Sequence, residues 1–151
     1  MNNDIDRKNI SIYEDDKTIR EMYEIKLKSS GYGVYAHEDA GNVVQEVKHE
    51  KPDLVLMDIL MPKVDGHAAI KALKDEKITA AVPILVITNF GDDVTVQKAL
   101  WFGAYDVIVK ADYTPQQVVD RVKDALAGKR ASHVINQDLV KFFHIDEQAR
   151  K

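Results

Sequence analysis

Five polar residues that could take part in chemistry stand at the ends of apolar runs in this sequence. The residues are Glu14, Asp15, Asp58, Thr88 and Lys110. Taken singly, each has an ordinary structural explanation, because an acid after a strand commonly caps the next helix and threonine is a common strand residue. Brought together at one place, they would form a compact site with negative charge, one ammonium group and one hydroxyl.

Such a site suits phosphoryl transfer. Clustered carboxylates raise one another's pKa unless a cation lies among them. Oxygen ligands favour Mg²⁺, which takes one or two carboxylates from a protein and keeps several waters. The lysine and the threonine would add a positive charge and a hydrogen-bond donor for phosphoryl oxygens. Since a carboxylate can act as a nucleophile and form an acyl phosphate, the set predicts phosphorylation of Asp58 beside a cation.

The elements that position these residues are predicted from alternating apolar runs and segments of helical period. The predicted strands are 10–14, 34–37, 54–57, 83–88 and 105–109. Helices are predicted to begin at Asp16, at Asp39, at Gly66, at Asp92 or Asp93, and at Thr114, which has the form of a capping box with Gln117. Strict alternation favours a parallel sheet with helices on both faces, and in such sheets sites form beyond the carboxyl ends of the strands.

Several motifs have the spacing of a known family. The stretch 58–66 is specific, since it carries Met61-Pro62 and Asp65-Gly66 after Asp58. The intervals between the acid pair Glu14-Asp15, Asp58, Thr88 and Lys110 also match the family. Over residues 9–128 the chain resembles the receiver domain of two-component response regulators. The resemblance implies an α/β fold of the flavodoxin-like type, a doubly wound five-stranded parallel sheet with strand order 2-1-3-4-5.

The resemblance also implies a role for each site residue. Asp58 corresponds to the phosphoacceptor, Thr88 to the hydroxyl that bonds a phosphoryl oxygen, and Lys110 to the ammonium that pairs with Asp58 or its phosphate. The cofactor implied is Mg²⁺. Its implied ligands are Glu14 acting through water, Asp15, Asp58 and the backbone carbonyl of Leu60. Asp16 is predicted to cap a helix rather than to bind the metal.

The implied partner is a sensor histidine kinase or a phosphotransfer protein. On this view the protein is not an enzyme for other substrates and promotes only its own phosphorylation and dephosphorylation. A net charge of −4 without a basic stretch argues against direct nucleic-acid binding. The polar N-terminus and the short apolar runs predict no signal peptide and no membrane span, so a cytoplasmic location is expected. The absence of cysteine excludes disulfides and thiolate chemistry.

Beyond the receiver region, a polar tail is predicted at 1–8 and an extension, predicted to be helical, at 129–151. The apolar residues of the extension at helical spacing are Ile135, Leu139, Phe142 and Phe143. The extension is too short for an ordinary output domain, so we expect a stand-alone receiver with an unknown downstream protein partner. It could pack on its own domain, form a homodimer or bind another protein, and the sequence leaves these alternatives open.

Three positions depart from the family pattern. Val107 stands where an aromatic residue usually swings inward as the threonine moves, so a different element, such as 89–93, is expected to transmit the signal. Ala111 stands where proline is common, which leaves a trans bond with a shifted loop or a strained cis bond after Lys110. Asn89 stands where a small residue is common and is expected to narrow access to the acyl phosphate.

Two other functions fit part of the pattern. An aspartyl-nucleophile phosphohydrolase usually has a second aspartate two residues after the nucleophile, and Leu60 stands there. A receiver fold that has become an interaction module, with weak or lost phosphorylation switching, would account for Val107 and Ala111. The retention of all the site residues favours the phosphorylated switch.

Overall fold

The computed structural model describes residues 7–129, 133–139, 141 and 143. Strands and helices alternate along the chain. The strands are β1 (Asn9–Tyr13), β2 (Gly33–His37), β3 (Leu54–Asp58), β4 (Ile84–Thr88) and β5 (Asp106–Val109). The helices are α1 (Lys17–Ser29), α2 (Val43–Glu50), α3 (Gly66–Asp75), α4 (Asp93–Phe102) and α5 (Pro115–Leu126). None of the helices within these ranges has the length and apolar character needed to cross a membrane.

The five strands form one parallel sheet in the order β2-β1-β3-β4-β5. This order confirms the predicted doubly wound topology, in which the chain moves outward from the centre in one direction and then in the other. β2 and β5 are the edge strands of this sheet. The central strand β3 is buried at every position, as expected for a strand that is covered on both faces.

The core lies in two layers because neighbouring residues of a strand point to opposite faces of the sheet. Met57 and Val107 belong to the layer that includes residues of α2, α3 and α4. Leu56 and Ile108 belong to the layer that includes residues of α1 and α5. Helices therefore cover both faces, and the carboxyl ends of the strands open along one edge.

Most of the predicted helix starts are confirmed. The Asp16 carboxylate caps α1 by accepting a hydrogen bond from the Ile19 N–H at 3.0 Å. Asp92, the first of the two alternatives, caps α4. Thr114 and Gln117 form the expected capping box at α5. The cap at Asp16 places that acid on the helix backbone, in agreement with the structural role predicted for it.

The predicted start of α2 at Asp39 is wrong. α2 begins at Val43, and its N-cap residue Asn42 makes no side-chain capping bond. The Asp39 carboxylate instead accepts a hydrogen bond from the Gly41 N–H at 2.8 Å. Aspartate can bond the backbone two residues ahead of it in a turn, and this arrangement competes with helix capping.

Gly66 allows the loop after β3 to close against its own beginning. A Cβ at this position would lie 2.3 Å from the Ile59 Cα and 2.8 Å from the Ile59 carbonyl oxygen. The loop is also closed by a bridge between Leu60 and Asp65, and the Asp65 side chain caps α3. The close approach of Gly66 therefore fixes the segment that immediately follows Asp58.

We expect Gly66→Ala to lower the free energy of unfolding by about 1–3 kcal/mol, because the added methyl group would overlap backbone atoms that cannot move aside easily. Urea unfolding measures the loss. Gly41→Ala is the control, since its methyl group would first meet the Asp39 side chain at 3.1 Å, and its effect should stay within about 0.5 kcal/mol. Equal losses in the two variants would contradict this account of the loop.

Candidate functional site

Three strand ends bring the principal charged residues together. Asp58 is the last residue of β3, Glu14 directly follows β1, and Lys110 directly follows β5. Tyr13 pairs with Met57 in the parallel register of β1 and β3. Because the register continues by one residue, Glu14 and Asp58 are adjacent at the carboxyl edge of the sheet.

The Lys110 ammonium group bridges the two carboxylates. Its Nζ lies 2.8 Å from Asp58 Oδ2 and 2.9 Å from Glu14 Oε1. The side chains of Lys110, Glu14 and Asp58 are 13%, 4% and 7% exposed. An ion pair this deeply buried is little screened by solvent, so each of its charges depends on the others.

One ammonium group faces two carboxylates, and the local charge is therefore not balanced. Burial, and after it the closeness of the Asp58 carboxylate, raise the pKa of Glu14 to about 8, although Lys110 acts in the opposite direction. Burial lowers the pKa of Lys110, but its hydrogen bonds to Asp58 and Glu14 outweigh that effect and the net pKa is raised. An additional cation would allow both carboxylates to remain ionised at neutral pH.

Glu14, Asp15 and Asp58 could together hold a metal ion. Each offers one carboxylate oxygen, and these oxygens lie within 4.8 Å of one another. Within the described residues, Glu14 Oε2 is buried without a hydrogen-bond partner, although buried polar atoms normally have one. Asp15 is exposed, which leaves the cluster open to solvent. An all-oxygen donor set with an unpartnered carboxylate oxygen fits Mg²⁺.

Asp58 is also held from its own loop. The Leu60 N–H donates a hydrogen bond to Asp58 Oδ1 at 2.9 Å, so each carboxylate oxygen accepts one bond from the protein. A carboxylate oxygen can accept more than one bond, and Asp58 therefore retains lone pairs for other groups. The role predicted for the Leu60 carbonyl as a metal ligand stays a prediction.

Thr88 lies at the end of β4, between the strands that carry Asp58 and Lys110, and it is fully buried. Its hydroxyl oxygen accepts a hydrogen bond from the Phe90 N–H at 3.1 Å. Because an accepting hydroxyl keeps its hydrogen available, Thr88 can still donate to another oxygen. Its predicted contact with a phosphoryl oxygen also stays a prediction.

Arg20 supports the site, and the sequence reasoning missed it. Its Nη1 donates to the Glu14 carbonyl at 2.9 Å and to the Asp15 carbonyl at 3.3 Å. The arginine lies one turn after the helix cap Asp16, so its guanidinium reaches back over the acidic loop. The only sequence signal was its position on the first turn of a helix that follows three acids, Glu14, Asp15 and Asp16.

Two of the unusual positions have clear structural consequences. No peptide bond is cis anywhere in the described ranges, so the bond between Lys110 and Ala111 is trans and enters a short 3₁₀ helix, Lys110–Asp112. The trans bond agrees with the first of the two alternatives predicted from the sequence, and the loop shift that belonged to that alternative stays a prediction. Val107 is 1% exposed within the core layer of α3 and α4, where a valine side chain cannot make the inward swing of an aromatic ring.

A family model described as the response regulator receiver domain matches residues 10–123. The chain belongs to this family. Receiver domains receive phosphoryl groups from histidine kinases, and they typically bind Mg²⁺ at an acidic cluster. The position of Glu14, Asp15 and Asp58 at one edge of the sheet agrees with this family property.

Curated relatives of this receiver are transcriptional regulatory proteins. The phosphate regulon protein PhoB of Escherichia coli is 33% identical over 114 residues, which cover 76% of this chain and 49% of PhoB. The alkaline phosphatase synthesis regulatory protein PhoP of Bacillus subtilis is 32% identical over 119 residues, covering 79% of this chain and 48% of PhoP. The chain spans about half the length of the curated relatives it matches.

Solved structures show the same fold. The BeF3-activated N-terminal receiver domain of RstA from Klebsiella pneumoniae matches with a TM-score of 0.72 and 27% identity, over 79% of this chain and 98% of that one. A structure described as a response regulator from Chloroflexus aurantiacus matches with a TM-score of 0.73 and 32% identity, over 80% of this chain and 98% of that one. The match therefore covers nearly all of each solved chain, and the RstA chain is a receiver domain.

We expect Lys110→Met to lower the free energy of unfolding by about 3 kcal/mol in the presence of a chelator. The reason is that two buried carboxylates lose their shared cation, while protonation of Glu14 limits the loss. Urea unfolding measures it, and adding Mg²⁺ should restore part of the stability. Lys63→Met is the control, because Lys63 is an exposed lysine of the loop after β3. A loss no larger than that of the control would contradict the importance of the buried ion pair.

Proposed function

We propose that this receiver is a phosphorylation-dependent signalling switch in which Asp58 accepts a phosphoryl group from a sensor histidine kinase or a phosphotransfer protein. The observation that carries this proposal is the environment of the Asp58 carboxylate. Lys110 and the Leu60 N–H hold its two oxygens, and the acids Glu14 and Asp15 lie within the reach of a shared metal ion.

The transfer step follows from this arrangement. An oxygen of Asp58 attacks the phosphorus of a phosphohistidine, the new P–O bond forms, and the P–N bond breaks with its electron pair returning to the imidazole. Lys110 remains next to the carboxylate and neutralises negative charge as it develops on the phosphoryl oxygens. Hydrolysis reverses the modification when water attacks phosphorus and Asp58 leaves as a carboxylate. Asp58 is regenerated unchanged, so the chain promotes only its own phosphorylation and dephosphorylation.

Glu14, Asp15, Asp58 and the carbonyl of Leu60 are the proposed Mg²⁺ ligands, with Glu14 acting through water. A bound Mg²⁺ would offset the carboxylate charges and screen the incoming phosphoryl oxygens. Arg20 contributes indirectly, since it holds the backbone of both acids through their carbonyl oxygens. The BeF3-activated structure of the RstA receiver is that of a related domain, and it supports the use of the same phosphoryl mimic here.

The loop after β4 is the proposed route of the signal. In the unphosphorylated chain the Thr88 hydroxyl accepts a hydrogen bond from the Phe90 N–H. A movement of this hydroxyl toward a phosphoryl oxygen would displace the loop through that bond. Phe90 is 58% exposed at the beginning of the path into α4. Because Val107 cannot swing as an aromatic ring does, the segment 89–93 is the proposed element that changes at the surface. Asn89 lies next to Thr88 on this loop and is proposed to limit access to the acyl phosphate.

A second candidate function is an interaction module with the receiver fold and little or no phosphorylation switching. The observation that favours it is the combination of Val107 and the trans bond to Ala111. The downstream partner of either candidate is a protein that reads the receiver surface, and a homodimer is one form that such a complex could take. The matched relatives are transcriptional regulators, whereas the output of this protein remains a separate proposal.

The switch predicts that incubation with Mg²⁺ and acetyl phosphate adds one phosphoryl group to the chain. Intact mass spectrometry measures the gain. Asp58→Asn should abolish it, because an amide is a poor nucleophile, and the exposed control Asp112→Asn should retain it. No gain in the wild-type chain would favour the interaction module. Turnover of a generic phosphoester beyond one equivalent would favour the phosphohydrolase alternative.

A second prediction concerns the metal. Asp15→Asn should weaken Mg²⁺ binding about tenfold or more, which corresponds to about 1.4 kcal/mol of binding free energy, because a charged ligand becomes neutral. Isothermal titration calorimetry measures the affinity. Asp16→Asn is a matched control, since asparagine can also cap α1, and its affinity should stay within about twofold, or less than 0.5 kcal/mol. Similar losses in the two variants would place the metal elsewhere in the acidic loop.

A further inference from the structure

One glutamine side chain of α4 binds the backbone of a distant segment. Gln97 is buried, and its Nε2 donates a hydrogen bond to the Val134 carbonyl at 2.9 Å. Its Oε1 accepts a hydrogen bond from the Asn136 N–H at 2.6 Å. Both ends of one amide group therefore pair with the main chain of residues 133–136, on groups that are two residues apart.

A buried carboxylate binds the same segment a few residues earlier. Asp106 is fully buried at the first position of β5, and its Oδ1 accepts bonds from the His133 N–H at 3.2 Å and from His133 Nδ1 at 2.8 Å. Its Oδ2 pairs with the Arg121 guanidinium of α5. Since a carboxylate only accepts hydrogen bonds, His133 must carry a proton on Nδ1. This contact recognises an imidazole as well as a backbone group.

These contacts lie on either side of an edge strand. β5 is at the end of the sheet, with Val107 in the core layer of α4 and Ile108 in the core layer of α5. The segment 133–136 contacts α4 through Gln97 and the start of β5 through Asp106, whose other oxygen pairs with Arg121 of α5. It therefore lies beside the edge strand. Exposed strand edges attract extended chains, and native proteins commonly cover them.

The segment contributes its backbone and its histidine, and its apolar side chains are not the main contacts. Val134 is 63% exposed and Ile135 is 43% exposed. Leu139 is partly buried and Phe143 is buried further along the chain, whereas Phe142 lies outside the described residues. Recognition through a paired amide and one imidazole is a peptide-binding arrangement, because backbone groups supply the affinity and one side chain supplies the selectivity.

We propose that residues 133–136 mask the surface formed by α4, β5 and α5, by docking on it as an extended peptide of the same chain that Gln97 and Asp106 select. The ligand class is a segment with a histidine, or another side chain that donates a hydrogen bond, directed at Asp106. The segment must also present a backbone N–H to Gln97 at the third residue after that donor, as Asn136 does after His133. A partner protein that uses this surface must present such a segment and displace the chain's own.

Because the segment belongs to the same chain, the few hydrogen bonds from Gln97 and Asp106 are sufficient to keep it docked. Only residues 130–132 separate the end of the described receiver from the docked segment. Covalent attachment through so few residues raises the local concentration of the segment, to about the millimolar range for a short connection, so a competing peptide in solution must reach a similar concentration or bind more tightly. The docking site is distinct from the phosphorylation site, and its occupancy can be measured without phosphorylation. A negative result for docking would therefore leave the proposed phosphorylation of Asp58 untouched, and the reverse also holds.

The first test is amide hydrogen exchange in the full chain. Gln97→Met keeps the side-chain length but removes both hydrogen bonds, and we expect exchange at Asn136 to accelerate about tenfold, as the loss of about two modest hydrogen bonds implies. Exchange in β3 should not change, which separates release of the segment from general destabilisation. Gln45→Met on the exposed face of α2 is the control. Unchanged exchange at Asn136, or equal acceleration in the control, would overturn the proposal.

The second test vacates the site while leaving its receptor residues intact. The full chain carrying His133→Ala and Asn136→Pro lacks the imidazole and the N–H that Asp106 and Gln97 bind. A synthetic peptide of residues 129–143 should shift the NMR signals of Gln97 and Asp106 in this variant. The peptide concentration needed should be at least tenfold lower than in the wild type. The addition of Gln97→Met should abolish the response. Equal titration of all three chains, or no response in the vacated chain at millimolar peptide, would overturn the proposal.

Dilution distinguishes the chain's own segment from that of a second copy. Protection of Asn136 should be independent of protein concentration, because a segment in the same chain is always present. Protection that disappears as a dimer dissociates, with the mass followed by sedimentation, would assign the docked segment to another molecule and overturn the intramolecular assignment.

Discussion

The buried contact of Lys110 with Asp58 and Glu14 is the constraint on which the rest of the site depends. The three residues stand at the carboxyl ends of β5, β3 and β1, and β4 lies between the first two. Neighbouring strands are about 4.8 Å apart, so the ammonium must reach over a whole strand, which requires a side chain of lysine length. The same geometry leaves two carboxylates with one cation. This imbalance raises the pKa of Glu14 and makes the cluster suitable for a divalent metal.

The sheet that maintains this contact is held by an apolar core layer on each face. The polar contacts that support the site are local. Arg20 ties down the acidic loop, the Leu60 N–H orients Asp58, and the close approach of Gly66 shapes the segment that follows. β5 has a charged group at each end, with Asp106 at its start and Lys110 directly after it. The proposed peptide site and the proposed phosphorylation site therefore share one strand, and α4 follows the loop that begins at Thr88. A change at either end of β5 has a short structural path to the other.

The sequence predicted the fold and the convergence of the acids with Lys110, because parallel strands must bring their carboxyl ends to one edge. It failed at Asp39, where a turn bond competes with a helix cap and both fit the same residue type. It left the bond after Lys110 open, since the choice between cis and trans depends on the surrounding loop. Arg20, Gln97 and the Asp106–His133 contact could not be found, because they join residues whose spacing has no period and whose types are common on surfaces.

The proposed nucleophile is the Asp58 carboxylate and no other acid of the cluster. The most direct measurement treats the chain with acetyl phosphate and Mg²⁺, reduces the acyl phosphate with borohydride, and locates the reduced residue by tandem mass spectrometry. Reduction converts a phosphorylated aspartate to homoserine, whereas a free carboxylate does not react. Our account predicts homoserine at position 58 alone. Homoserine at Asp15, a reduced glutamate at Glu14, or an unmodified Asp58 in a chain that has gained phosphate would contradict it.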